Sequence, residues 1–261
     1  MEEFIPGMKN SCTRELSTTA DIFNSHTYIF GYETPNSVIR DWEQENYLLA
    51  RSAGKQHFVG EFGGNQCVGA TRQKDINLYE RGVLMSRIVI NLLNGGACGV
   101  SYWSLLDQYY DHNASYNDMQ QLGLWKYVKN AYSSDTCYKN IKDDYEVRPQ
   151  YYAYSLLTRF ILPNAEVYPI ATPDEFFAGS AIKNEDGKWI YVFANSTNEE
   201  KNIDISNAYT NVNGVYQVFR YAVNELPDKG QQILPNKQPL KVAKTINYKL
   251  PPHSVILFKQ I

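Results

Sequence analysis

Three short strand-like runs, residues 19–30, 57–62 and 98–106, alternate with two amphipathic stretches, and this alternation restricts the fold more than any other feature. The first run, TADIFNSHTYIF, is rich in Ile, Phe, Thr and Tyr and is followed by Gly31. Pro35 to Ala53 reads as a helix with Val38, Ile39, Trp42, Leu48 and Leu49 near one face. Thr34 or Asn36 is placed to cap it and Gly54 to stop it. The second run, HFVGEF, ends in the small pair Gly63-Gly64. A second helix is expected from Asp75, an N-cap residue, through Ile76, Tyr79, Val83, Leu84, Ile90 and Leu93, stopping at Gly95-Gly96. The third run, CGVSYWSLL, is nearly continuous in apolar character, as in a strand buried on both faces. Strand and helix alternating at this spacing form βαβ units, and therefore a parallel sheet.

Residues 107–146 read as a long polar and aromatic loop, and loops of that length in compact domains usually carry function. Pro149, at a position that suits proline, opens a helix reaching Ile161 with Tyr152, Leu156, Leu157 and Phe160. After Leu162-Pro163 the texture changes. Segments 165–171, 175–183, 188–195, 201–206, 213–223, 244–250 and 254–259 are short, β-rich and separated by turns. Regular spacing of this kind predicts a β-sandwich, a fold of roughly 100 residues. The expected class is thus α/β plus all-β, divided into residues 1–162 and 163–261.

Composition closes several other routes. A hydrophobic fraction of 43% excludes a disordered chain, and a net charge of −3 gives no surface for nucleic acid. No stretch approaches the ~18 uninterrupted apolar residues of a membrane span. Met1 to Asn10 carries Glu2 and Glu3 and has no apolar core, so it is not a signal peptide. Cys12, Cys67, Cys98 and Cys137 are widely spaced with no Cys-x-x-Cys pair. No zinc site is expected, while free thiols and any of three disulfide pairings stay open. The aromatic share is high, at 14%. Rings with polar edges suit sugar clefts, but Tyr also fills strands and half-buried faces.

Functional side chains of βα sheets gather at the C-terminal ends of the strands. Three such ends are offered: His26 and Tyr28 on the first, Glu61 on the second, and Trp103, Ser104 and Asp107 on the third. Taken singly, Glu61 could pair with an arginine, His26 could be a structural histidine and Trp103 could be core. Together at one end of consecutive strands they form a sugar-processing set. The carboxylate attacks or deprotonates, the phenol and imidazole orient it, and the indole floors a sugar ring. Tyr109 and Trp125, in the long loop, add rings that could wall the cleft.

These motifs resemble the last three βα units of clan A glycoside hydrolases, in the neighbourhood of families 5, 30 and 39. In that pattern His26-Thr27-Tyr28 matches a His-x-Tyr strand, and Glu61 in VGEFG matches the nucleophile on the strand that follows. Trp103 in SYWSLLD matches the aromatic floor of the −1 subsite. Arg148-Pro149-Gln150-Tyr151-Tyr152-Ala153-Tyr154 looks like the last barrel helix, and Leu250-Pro251-Pro252-His253-Ser254-Val255 like the last strand of the accessory β-sandwich. The resemblance implies a partial (β/α)₈ TIM barrel, about strands six to eight, followed by a C-terminal β-sandwich. It also implies retaining hydrolysis of β-glycosidic bonds in a poly- or oligosaccharide, without a cofactor.

The chain departs from the family in one respect. The family's acid/base glutamate sits in an Asn-Glu motif on an earlier strand, and no Asn-Glu precedes residue 19. Asn184-Glu185, Asn198-Glu199 and Asn224-Glu225 all fall in the β tail, leaving Glu33, Asp107 and Asp111 as substitutes. The expected reading is therefore a C-terminal portion, with Met1 an internal methionine and the signal for secretion or periplasmic export on the missing side. A complementary N-terminal half-barrel, or a second copy, would complete the site. The rival is a non-catalytic carbohydrate-binding or scaffold protein relying on the β-sandwich and the Tyr-rich loop.

Overall fold

The computed structural model describes residues 20–64, 66–67, 72–107, 120–127, 145–206, 212–228 and 230–261. Its first sheet is parallel and three-stranded, in the order β1 (Ile22–Thr27), β2 (Gln56–Phe62), β5 (Val100–Tyr102). The crossovers are α1 (Asn36–Ser52) and α2 (Glu80–Gly95), and a third helix, α3 (Pro149–Phe160), follows. Two minor pairs, β3 (Gln66–Cys67) with β4 (Arg72–Gln73) and β6 (Trp125–Tyr127) with β7 (Tyr145–Val147), decorate the strand ends.

Beyond α3 the described residues form strands and connecting turns, with no helix among them. A six-stranded antiparallel sheet combines β8 (Glu166–Ile170), β9 (Phe177–Lys183), β10 (Trp189–Asn195), β12 (Gly214–Tyr221), β13 (Leu240–Val242) and β15 (Ser254–Gln260). Its order is β13-β12-β15-β10-β9-β8, and β11 (Lys201–Ser206) pairs separately with β14 (Thr245–Leu250). A buried cluster of Tyr191, Phe193, Tyr216, Val218, Ile256 and Phe258 from the large sheet meets Ile203, Ile246 and Leu250 from the small one. The other face of the large sheet, through Ile182, Ile190, Val192, Val255 and Leu257, shares a single core with Val83, Leu84 and Ile88 of α2 and with Val59 and Phe62 of β2. The texture change near residue 162 is therefore not a break in packing.

α2 explains this continuity. It is buried nearly all round, which places it in the middle of the molecule rather than on its surface. It ends at Gly96, whose φ of 116° and close approach to the Tyr47 ring leave no room for a side chain. Two boundaries differ from expectation. Residues 75–79 form turns, and Asp75 lies in the left-handed region (φ 54°), where it cannot act as an extended N-cap. In α1 the buried positions are Asn36, Ile39, Glu43 and Ala50, while Val38 and Leu48 are exposed. Asn36 caps nothing; its amide donates to the Asp174 and Phe177 carbonyls of the β tail. Among the described residues no helix is long and apolar enough to cross a membrane.

Candidate active site

The site begins with an irregularity in β2. Down β1 the pairing runs Asn24↔Phe58, Ser25↔Val59 and then His26↔Glu61, so Gly60 is an extra residue. His57 and Val59 are buried, and strict alternation would send Glu61 the same way. The bulge shifts the period by one, so Phe62 becomes the buried residue and Glu61 turns to the open face beside His26. Gly60 is required at this point. Its N–H donates to Asn24 Oδ1 at 2.8 Å, and a Cβ there would lie 2.3 Å from that oxygen.

Glu61 is then held from two sides. Tyr28 Oη donates to Glu61 Oε2 at 2.8 Å, and His26 Nδ1 lies 3.3 Å from the same oxygen. The Glu61 side chain is 27% exposed and that of His26 50%, so the group is open to a ligand. The loop beyond is tied down through the Gly63 N–H to the Thr27 carbonyl at 3.2 Å. Trp103 follows directly on β5. Its N–H donates to the carbonyl of Phe62, the residue after Glu61, and its ring is half-buried. Three adjacent parallel strands thus deliver His26, Tyr28, Glu61 and Trp103 to one end of the sheet.

A buried polar network lies under these ends. Gln73 Nε2 donates to the Trp103 carbonyl at 3.1 Å, and Gln73 Oε1 accepts from the Gly64 N–H, the Tyr102 hydroxyl and the buried Arg81 guanidinium. Gln150 of α3 reaches the Tyr102 hydroxyl at 3.0 Å. Burial pushes the Tyr102 hydroxyl up to about 12, so it stays a neutral donor. Gly64 is the counterpart of Arg81, since a Cβ at Gly64 would lie 2.0 Å from the guanidinium. Sequence reading missed Gln73 because its strand is two residues long and carries no period.

Asp107, unlike Glu61 and His26, is enclosed. It is buried, and Arg148 grips it with both terminal nitrogens, at 2.6 and 2.9 Å. It also accepts from the backbone N–H groups of Gly123 and Tyr127. Four hydrogen bonds occupy both oxygens and hold Asp107 as a buried structural clamp. Trp125, in β6, turns its half-buried ring edge-on to Tyr151 of α3 at 5.7 Å. β6 lies within the expected long loop and β7 begins at its end, while Tyr109 and Asp111 lie outside the described residues. Glu33 is exposed in the turn after β1. Of the four cysteines, Cys98 is exposed and free; Cys12 and Cys137 lie outside the described residues.

No protein-family model matches the chain, and no curated protein matches it in sequence. Solved structures do match. A family 30 glycoside hydrolase endoxylanase from Clostridium papyrosolvens C71 superposes with a TM-score of 0.60 at 15% identity, covering 94% of this chain and 50% of that one. A family 30 subfamily 8 xylanase from Clostridium acetobutylicum gives 0.60 at 16% identity, covering 98% and 52%. An α-L-arabinofuranosidase from Thermotoga maritima gives 0.61 at 13%, covering 94% and 54%. The likeness is one of fold, and the chain spans about half the length of these relatives. What the chain shares with these glycoside hydrolases is therefore their fold, over about half of their length.

Proposed function

We propose that this chain is the C-terminal portion of a retaining glycoside hydrolase, contributing about strands six to eight of a (β/α)₈ barrel and an accessory β-sandwich. The observation that carries this reading is the convergence of Tyr28 and His26 on one oxygen of Glu61, beside Trp103. In this reading Glu61 Oε1 is left free to attack the anomeric carbon, while Oε2 is oriented by its two partners. The Glu61 oxygen forms a bond to that carbon as the bond to the leaving-group oxygen breaks, and water later releases the sugar. Trp103 offers an apolar floor to the reacting ring. The acid/base carboxyl, required ~5–5.5 Å from the nucleophile, comes from the complementary N-terminal half-barrel. The substrate class is a β-linked poly- or oligosaccharide.

The test uses the chain reconstituted with a half-barrel that carries the missing strands and an Asn-Glu strand end. A 2-fluoro glycoside with an activated leaving group should add one sugar mass to the peptide containing Glu61. Glu61→Gln should abolish both labelling and turnover. Labelling on another residue, or turnover unchanged in Glu61→Gln, would refute the assignment.

A further inference from the structure

The large antiparallel sheet, separate from the parallel sheet that holds Glu61, carries an aromatic shelf. Residues directly opposite in antiparallel strands share a face. The register pairs Glu166 with Lys183 and Lys183 with Trp189, and one step on from Ile190↔Lys259 it brings Gln260 opposite Trp189. One row across four neighbouring strands therefore reads acid, amine, indole, amide. Tyr168, two residues along β8, stands on the same face, with its ring 5.2 Å from that of Trp189 and inclined by 49°.

This row lies at the margin of the face that β11 and β14 cover. Tyr191, one step inward, is 1% exposed, whereas Trp189 is half-buried and Tyr168 is 42% exposed. The polar edge is arranged as well. Tyr168 Oη donates to Glu166 Oε2 at 2.5 Å, while Gln260 is tied to the sheet, its Oε1 accepting from the backbone N–H of Trp189 at 3.0 Å and its Nε2 donating to the Asn213 carbonyl at 3.3 Å. Among the described residues Lys183 has no ion-pair partner, so its ammonium can still donate. At the other end of these strands, about 20 Å away at ~3.3 Å per residue, Phe177 is bound by Asn36 of α1.

The chemistry restricts the occupant. Two inclined ring faces with hydroxyl, carboxylate and ammonium groups beside them match a pyranose, whose apolar face stacks while its hydroxyls hydrogen-bond. One acid and one amine make the patch nearly neutral, which disfavours polyanions such as nucleic acid. Five side chains cover far less than the ~800 Å² per partner of a stable protein interface. We propose that this shelf is a second carbohydrate-binding surface, gripping a neutral polysaccharide chain on a sheet separate from that of Glu61. It does not rest on any role for Glu61.

The experiment is affinity electrophoresis of the chain in gels containing soluble xylan or mixed-linkage β-glucan, with a sugar-free gel for reference. A Trp103→Ala background removes binding at the strand-end cleft. The chain in that background should still be retarded by one of the two polysaccharides. Tyr168→Ala, at an exposed position, should weaken retardation about tenfold or more, and Trp189→Phe should preserve it. Free migration of the Trp103→Ala chain in both gels, or retardation unaffected by Tyr168→Ala, would overturn the proposal. Loss of turnover or labelling at Glu61 would leave this result untouched.

Discussion

At the scale of single residues, the same side-chain types do opposite jobs according to what surrounds them. Glu61 is open and oriented, whereas Asp107, equally plausible in the sequence, is closed off by Arg148. Asp107→Ala should cost ~3–5 kcal/mol, because it strands a buried guanidinium; urea unfolding measures this. Loss of sugar affinity at unchanged stability would instead return Asp107 to the ligand set. Glu43 presents a different case. It is fully buried in α1, and His57 Nδ1 lies 2.7 Å from its Oε1. Burial raises the Glu43 carboxyl above its ordinary 4.5 despite the hydrogen bond to His57, which pulls the other way. Between 4.5 and that raised value the folded chain holds a proton that the unfolded chain has lost. The Glu43 contribution to stability therefore falls as pH rises through that window. The unfolding free energy of Glu43→Gln, measured across pH 4 to 8, should lack this decline, and an identical slope in both proteins would exclude it.

At the scale of elements, the β2 bulge decides which face Glu61 occupies. Period-two reading from His57 and Val59 assigns Glu61 to the covered side; one inserted residue reverses that. Gly60→Ala should cost ~1–3 kcal/mol by driving a methyl into the Asn24 amide. Shortening Asn24 to Gly in the same chain should recover part of the loss. Thermal unfolding of the two variants checks this, and a Gly60→Ala chain as stable as the parent would mean that the bulge tolerates a side chain. Helix extents were legible where the apolar period was long, as in α3, which runs from Pro149 to Phe160. They were not legible at Asp75, whose backbone turns left-handed, nor along α1, where the polar Asn36 and Glu43 are buried with polar partners while Val38 and Leu48 are exposed.

At the scale of the whole molecule, α2 couples the parallel sheet to the β tail. Tyr79 and Tyr221 stack at 4.5 Å and each hydroxyl bonds the other's backbone carbonyl, while Tyr79 also donates to His253. Arg87 reaches the carbonyls of Thr34, Tyr32 and Glu175, bolting the turn after Tyr28 to the tail. Residues 20–162 and 163–261, produced separately, should each fail to show a cooperative melt, because each would expose half of one core. The joined chain should melt in a single transition by circular dichroism. Two independent transitions, or a stable isolated tail, would show that the halves are autonomous.

The sequence by itself determined the order of elements, the parallel βαβ character, the β-rich tail and the strand ends at which His26, Tyr28, Glu61 and Trp103 lie. Those are local properties, written in residue period, turn chemistry and short motifs. Only the tertiary structure decided that Glu61 faces its two partners, that Asp107 is spent on Arg148, and that one core runs through residue 162. These outcomes depend on groups 33, 41 and 142 positions apart in the chain meeting one another. No local pattern records such meetings, because they are settled by how buried faces share space and which polar groups must find a partner once water is gone.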